Sequence, residues 1–254
     1  LEAITFRMRG HEEASGTKYV PQHLFDEWKP KDPVENFESW LLELGILTED
    51  KQKKIRASIK KEIESGLEEA FAEPLPEQKT EEELEDMYMA FEPNTSEPDR
   101  NSGDEKRLVD AIQEGLGQSM ERHPNLVLMG QDIADYGGVF KVTEGFVARF
   151  GKDRVRNTPL CESAIVGTGL GLSIKGMKSM VEMQFADFVT CGFNQIVNNL
   201  AKSHYRWAQN ADVVVRMPTG AGVAAGPFHS QSNEAWFFHT PGLKIAYPST
   251  PFDA

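Results

Sequence analysis

The chain has 254 residues, 39% of them aliphatic, aromatic or cysteine, enough to fill a core for one or two domains. Its 40 acidic against 27 basic side chains leave a formal charge of −13, which argues against a general nucleic-acid or anionic-membrane binder. No run of about 18 uncharged apolar residues occurs, so no membrane span is expected. Two cysteines, Cys161 and Cys191, lack metal-ligand spacing and fit a reducing, cytoplasmic setting.

Residues 1–32 read as an irregular arm, because Gly10, Gly16, Pro21, Pro30 and Pro33 interrupt any long periodicity. From Val34 the pattern turns helical: Phe37, Trp40, Leu41 and Leu44 share one face, and Gly45 ends the run. A longer helix is predicted over Glu49–Ala72, where Ile55, Ile59, Ile63, Leu67 and Phe71 form a stripe that covers a neighbour. Pro74 closes it. Between Glu73 and Arg107 there are 12 acids and 4 bases, a linker composition that buries too little to offset ordering entropy. One island, Leu84, Met87, Tyr88 and Phe91, has helical spacing and suits docking on a domain surface.

Ser102-Gly-Asp-Glu105 looks like a capping box opening a helix that carries Leu108, Ile112, Leu116 and Met120. Short apolar strands are predicted at Leu126–Met129, Ser179–Gln184, Val213–Met217 and Leu243–Tyr247, with Val155–Asn157 as a further short run. Between the strands, helices are expected at Ser163–Lys175 and, as the longest of those, about Asp187–Ala208. Strands alternating with helices imply an α/β fold, a doubly wound parallel sheet preceded by an α-helical arm.

Three segments sit at predicted strand ends: Asn157-Thr-Pro-Leu-Cys-Glu162, Gln184-Phe-Ala-Asp-Phe188 and His229-Ser-Gln-Ser232. An acid, an aromatic ring and a histidine at the ends of parallel strands suit a cofactor site, since open sheets bind ligands there. On spacing alone Glu162 is equally a surface acid favoured by the helix dipole, Phe188 a core ring and His229 an exposed loop residue. Gly167-Thr-Gly169-Leu-Gly171 is not a dinucleotide fingerprint: the spacing is G-x-G-x-G inside a helical pattern, where small residues permit close packing.

Asn157 to Gly169, Gln184-Phe-Ala-Asp187 and His-Ser-Gln-Ser resemble the beta part of a thiamine-diphosphate-dependent 2-oxo acid dehydrogenase, with the branched-chain (2-oxoisovalerate) type nearest, over about Leu108–Ala254. Arg7-Met-Arg-Gly-His11 and the helices through Phe91 are similar to the end of that enzyme's alpha part. The resemblance implies an alpha–beta fusion: an alpha-type arm over 1–91, a joint at 92–103 and a pyrimidine-binding domain over 104–254. It further implies thiamine diphosphate as cofactor, a branched-chain 2-oxo acid as substrate, a lipoyl-bearing acyltransferase as partner, and a homodimer.

By that resemblance Glu162 shares a proton with the pyrimidine ring of the cofactor, which demands a shielded carboxyl group. Leu160, Gln184 and Phe188 contact the cofactor, and Phe188 stands where branched-chain relatives commonly carry Tyr. His229 matches a residue that meets the substrate and the lipoyl arm, and an imidazole, which can both accept and donate a proton, suits proton delivery. His11 matches a histidine at the site's entrance. A phosphorylatable serine usually follows it in kinase-regulated complexes; Glu12 and Glu13 follow here. No Gly-Asp-Gly motif for magnesium and diphosphate occurs, so no metal ligand is assigned, Mg2+ is expected to be held by a segment outside this chain, and the chain is expected to be an incomplete piece.

Overall fold

The computed structural model describes residues 2–92, 94–99 and 103–254, which divide into two units, Leu1–Glu77 and Gln78–Ala254. In the first unit, α1 (Gln22–Trp28) lies inside the stretch expected to be irregular. Pro21 sets φ to −59° at its entrance, and the segment before Pro30 is long enough for two turns. Phe6 packs edge-on against Phe25 and stacks on Trp28, at centroid distances of 5.5 and 5.8 Å.

Helix α2 (Pro33–Glu43) starts with Pro33 behind the Asp32 cap, whose carboxylate accepts from Val34 N and Glu35 N at 2.8 and 3.0 Å. Gly45, at φ +68°, turns the chain out of it. Helix α3 (Glu49–Ala72) is capped by Thr48 and has the bounds its periodicity predicts. Arg56 bridges both Glu38 oxygens, at 3.1 and 2.5 Å, tying α3 to α2. Within this unit the stripe from Ile55 to Phe71 stays exposed.

The second unit opens with α4 (Thr80–Asp86) and the island after it. Tyr88 donates its hydroxyl to the carbonyl of Leu243 at 3.4 Å, and Lys244 lies over the Phe91 ring, so the island docks on the domain surface. Helix α5 (Leu108–Arg122) begins later than the capping box implies. Residues 103–107 are non-helical, and Ser102 lies outside the described residues. Arg107 instead clasps Asp110 in the first turn with two 2.7 Å bonds.

The core is a parallel sheet of β1 (Leu126–Gly130), β2 (Val155–Asn157), β3 (Lys178–Glu182) and β4 (Val213–Arg216), in the order β2-β1-β3-β4. Alternate side chains of β1 go to opposite faces. Leu126 and Leu128 join Met120, Ile133, Phe146 and Val155 on one side; Val127 and Met129 join Ile165, Val166, Val181 and Val189 on the other. With apolar clusters on both faces, the sheet is the doubly wound one expected. Arg154 fastens α5 to β1 by donating to the carbonyls of Met120, His123 and Leu126 at 2.8 to 3.0 Å.

Between β1 and β2 lies α6 (Phe146–Phe150), and α7 (Glu162–Ile174) connects β2 to β3. At Gly169 a Cβ would stand 3.1 Å from Ser179 Oγ and Val181 Cγ1, so this glycine lets α7 settle on the sheet.

Two further expectations need correction. The segment after β3 is not one α-helix: it runs as a 3-10 helix at Ala186–Gly192, a π-helix at Gln195–Leu200 and then α8 (Ala201–Trp207). Apolar spacing does not separate these windings, whereas the close approach of Gly192 to α7 selects the tight first part; its Cβ would lie 3.4 Å from the Glu162 carbonyl oxygen. Leu243–Tyr247, which follows the short helix α9 (Ala235–Phe238), forms no strand. Leu243 packs against the core and gives its carbonyl to Tyr88, while β4 remains the sheet's edge among the described residues. No helix among the described residues is long and apolar enough to cross a membrane.

Candidate active site

The chain order reverses between β1 and β3, with β2 on one flank and β4 on the other. In open parallel sheets such a point leaves a crevice at the carboxyl ends of the strands. The residues following those ends here are Gln131 and Asp132 after β1, the turn to Glu162 after β2, and Gln184 to Phe188 after β3.

Glu162 occupies the first position of α7 and is only 9% exposed. Its Oε1 accepts from the side-chain amide of Gln131 at 3.1 Å, and Gln131 is itself buried. A buried carboxyl group costs free energy unless it is hydrogen-bonded, so the Gln131 amide and the helix start together make this placement tenable. Glu162 lines a recess of about 620 Å³ with Cys161, Ser163, Gly167, Cys191 and Gln195. On the preceding turn, Thr158 Oγ1 is buried without a hydrogen-bond partner. Leu160, on the same turn, is 81% exposed and does not line the recess.

A second cluster forms around Phe185, whose ring meets Phe140, Phe188 and His229 edge-on at 5.7, 5.8 and 5.0 Å. His229 also stands 5.3 Å from Phe188 at 85°, so the structure brings these two predicted residues together. The 3-10 segment carrying Phe188 packs on α7, which connects this cluster to the element carrying Glu162. Beneath it Asp187 accepts from Gln231 Nε2 at 2.8 Å, and Asn233 donates to the Ala186 carbonyl at 2.9 Å; these bonds hold the His229 loop against the sheet. Gln184 donates to Asp132 at 3.2 Å, joining the ends of β3 and β1. His11 is exposed on a turn of the first unit, beside the Arg9–Glu13 ion pair.

Sequence reasoning missed Gln131, Asp132 and the pair between buried Glu182 and half-buried Arg216 that links β3 to β4. Gln131-Asp132 directly follows an uninterrupted apolar strand, and that position was the available signal. Burial pushes the Glu182 carboxyl above its ordinary value, with Arg216 opposing the shift. Among the described residues no cluster of three or more His, Cys, Asp or Glu is arranged to hold a metal.

Residues 104–254 match the family model of the transketolase pyrimidine binding domain. The chain belongs to this family. Residues 1–79 match a second model, the dehydrogenase E1 component, so this transketolase-type pyrimidine domain follows an E1-type segment in one chain. It is 47% identical over 150 residues to the 2-oxoisovalerate dehydrogenase subunit beta of Bacillus subtilis, covering 58% of this chain and 45% of that one. The pyruvate dehydrogenase E1 component subunit beta of Leifsonia xyli is 44% identical over 149 residues, 58% of this chain and 44% of that one. A mitochondrial 2-oxoisovalerate dehydrogenase subunit beta 2 of Arabidopsis thaliana is 43% identical over 164 residues, 63% and 46% respectively. The pyrimidine-domain chain thus spans under half the length of these relatives.

Proposed function

We propose that this chain is the pyrimidine-holding part of a thiamine-diphosphate-dependent 2-oxo acid dehydrogenase component, joined to the end of its alpha part at about residues 92–103. Its substrate is a branched-chain 2-oxo acid of the 3-methyl-2-oxobutanoate type, and the acyl group passes to a lipoyl group on an acyltransferase partner. The observation that carries the reading is Glu162: a buried carboxyl group at the carboxyl edge of the sheet, held by Gln131 and opening on a recess.

The residues present fit the pyrimidine half of the cofactor. Thiamine diphosphate, when bound, supplies the nucleophilic carbon and the electron sink for loss of carbon dioxide. Glu162 holds a proton at the pyrimidine ring nitrogen, and its burial keeps water from competing for that proton. Gln131 fixes the carboxyl orientation. Phe188 offers an aromatic face to the ring, with Leu160 and Gln184 as further contacts. His229, braced edge-on by Phe185 and Phe188, delivers a proton as the acyl group moves to the lipoyl arm. His11 lines the entrance. Magnesium and the diphosphate are assigned to residues outside this chain, which by itself is inactive.

The working form is a homodimer. The two unpaired cysteines support a reducing compartment; we place the protein in the cytoplasm, and cell fractionation tests that against the mitochondrial location named for the Arabidopsis relative. A pyruvate substrate is the second reading, favoured by the 44% identity to a pyruvate dehydrogenase subunit. The full-length protein, supplied with thiamine diphosphate, Mg2+ and a lipoyl domain, should acylate that domain from 3-methyl-2-oxobutanoate in preference to pyruvate. Preference for pyruvate would move the assignment to the second reading, and no lipoyl acylation from any 2-oxo acid would overturn both.

A further inference from the structure

Cys161 and Cys191 come from different elements yet line the same recess as the Glu162 carboxyl group. Their neighbours touch: a Cβ on Gly192 would stand 3.4 Å from the Glu162 carbonyl oxygen and 3.6 Å from its carbon, so the chain after Cys191 lies against the chain after Cys161. Cys191 is exposed, and Cys161 is half-buried with its thiol donating to the Pro159 carbonyl at 3.3 Å. Cys161 also sits at the cap position of the 13-residue α7. A disulfide requires Cα atoms about 4.4 to 6.8 Å apart, and its closure reports that approach.

We propose that Cys161 and Cys191 form an oxidisable thiol pair on the wall of the Glu162 recess, closing to an intramolecular disulfide on exchange with a small disulfide such as oxidised glutathione. The exposed Cys191 thiolate attacks one glutathione sulfur, forming a mixed disulfide and releasing one glutathione thiolate. The Cys161 thiolate then attacks the Cys191 sulfur, forming the Cys161 Sγ–Cys191 Sγ bond and releasing the second glutathione. The two cysteines are oxidised and the small disulfide is reduced to two thiols. The new bond ties the 3-10 segment to the start of α7 and narrows the recess at Glu162. The consequence for cofactor binding rests on the role proposed above for Glu162; the thiol pair itself does not.

The test incubates the 254-residue chain with oxidised glutathione, alkylates with N-ethylmaleimide and weighs the intact protein. The oxidised chain should take up no maleimide, retain no glutathione and weigh two hydrogens less, with both thiols recovered on reduction. Cys161→Ser and Cys191→Ser should each retain a single glutathione or maleimide. Two glutathione adducts, two maleimides or a disulfide-linked dimer in the folded wild type would overturn the proposal. In the full-length protein, oxidation should abolish thiamine diphosphate binding in the wild type and leave it intact in Cys191→Ser. Unchanged binding despite a formed disulfide would overturn the narrowing of the recess. Absence of cofactor binding in both redox states, with the disulfide formed, would overturn the Glu162 reading and leave the thiol pair standing.

Discussion

The side-chain amide of Gln131, placed directly after β1, donates to Glu162 Oε1 at 3.1 Å and so couples the end of the central strand to the first residue of α7. Neither group is exposed, and a hydrogen bond between buried partners is worth most where water cannot replace it. The acid is thereby held in one orientation at the wall of the recess.

Replacing Glu162 with Gln in the full-length protein should remove turnover while leaving thiamine diphosphate binding largely intact. Glutamine keeps the shape and the contact with Gln131 but cannot exchange a proton. General acid–base steps contribute roughly 100 to 10,000-fold, so the loss in kcat should be at least of that order. Near-normal kcat at saturating cofactor would refute the assignment.

Gln131 acts through Glu162, as a positioning residue. Gln131→Leu leaves the buried carboxyl group without this donor, which costs about 1–3 kcal/mol of stability. Chemical denaturation of the 254-residue chain should show that loss, and kcat of the full-length variant should fall with little change in substrate KM. Gln131→Glu would not restore either, since a second carboxyl group cannot donate when ionised, whereas Gln131→Asn should recover part of both if it still reaches. A kcat unchanged in Gln131→Leu would show that the contact does not position the acid.

Much of this was legible in the chain because burial on two faces writes itself as uninterrupted apolar strands, as at Leu126–Met129. The bounds of helix α3 were equally plain from its periodicity, although its apolar stripe stays exposed within its unit. What spacing could not supply was winding or pairing. The run after β3 reads as one amphipathic helix, but Gly192 must pass against the Glu162 carbonyl, and the tighter 3-10 turn follows from that tertiary contact. Leu243–Tyr247 has strand composition, yet Leu243 gives its carbonyl to a tyrosine 155 positions away, a contact no local pattern announces. The site divides in the same manner. Glu162, Phe188 and His229 lie in recognisable motifs, while Gln131 and Arg216 acquire meaning only through the strand order that puts them beside their partners.

Glu182 gives a prediction in pH. Burial raises its carboxyl above the ordinary value of 4.5, and the contact with Arg216 offsets only part of that. The folded chain therefore binds this proton more tightly than the unfolded chain does. The stability from this group is fully present below 4.5 and is lost as pH rises through the raised folded value. Glu182→Gln cannot titrate, so the wild-type minus variant difference in unfolding free energy should fall as pH is raised from about 4 to 7. A difference that rises across that window would mean the Arg216 attraction outweighs burial.

The proposed dimer can be tested through two proposed site residues that lie in different units. His11 belongs to the first unit and Glu162 to the second. A fused chain could complete a site from its own two parts or exchange parts with a second copy. The E1-type match over 1–79 and the pyrimidine-domain match over 104–254 are separate, so chain connectivity does not dictate which copy supplies which residue. We expect exchange, with His11 of one subunit serving the site that contains Glu162 of the other. Full-length His11→Ala and Glu162→Gln should each be nearly inactive as homodimers. In a mixed dimer with exchange, one site would carry both substitutions and the other neither, so mixing equal amounts under conditions that allow subunits to redistribute should restore about a quarter of wild-type activity, since half the dimers are mixed and each of these has one intact site. Tagged subunits that demonstrably redistribute without any recovery would mean that each chain builds its site alone.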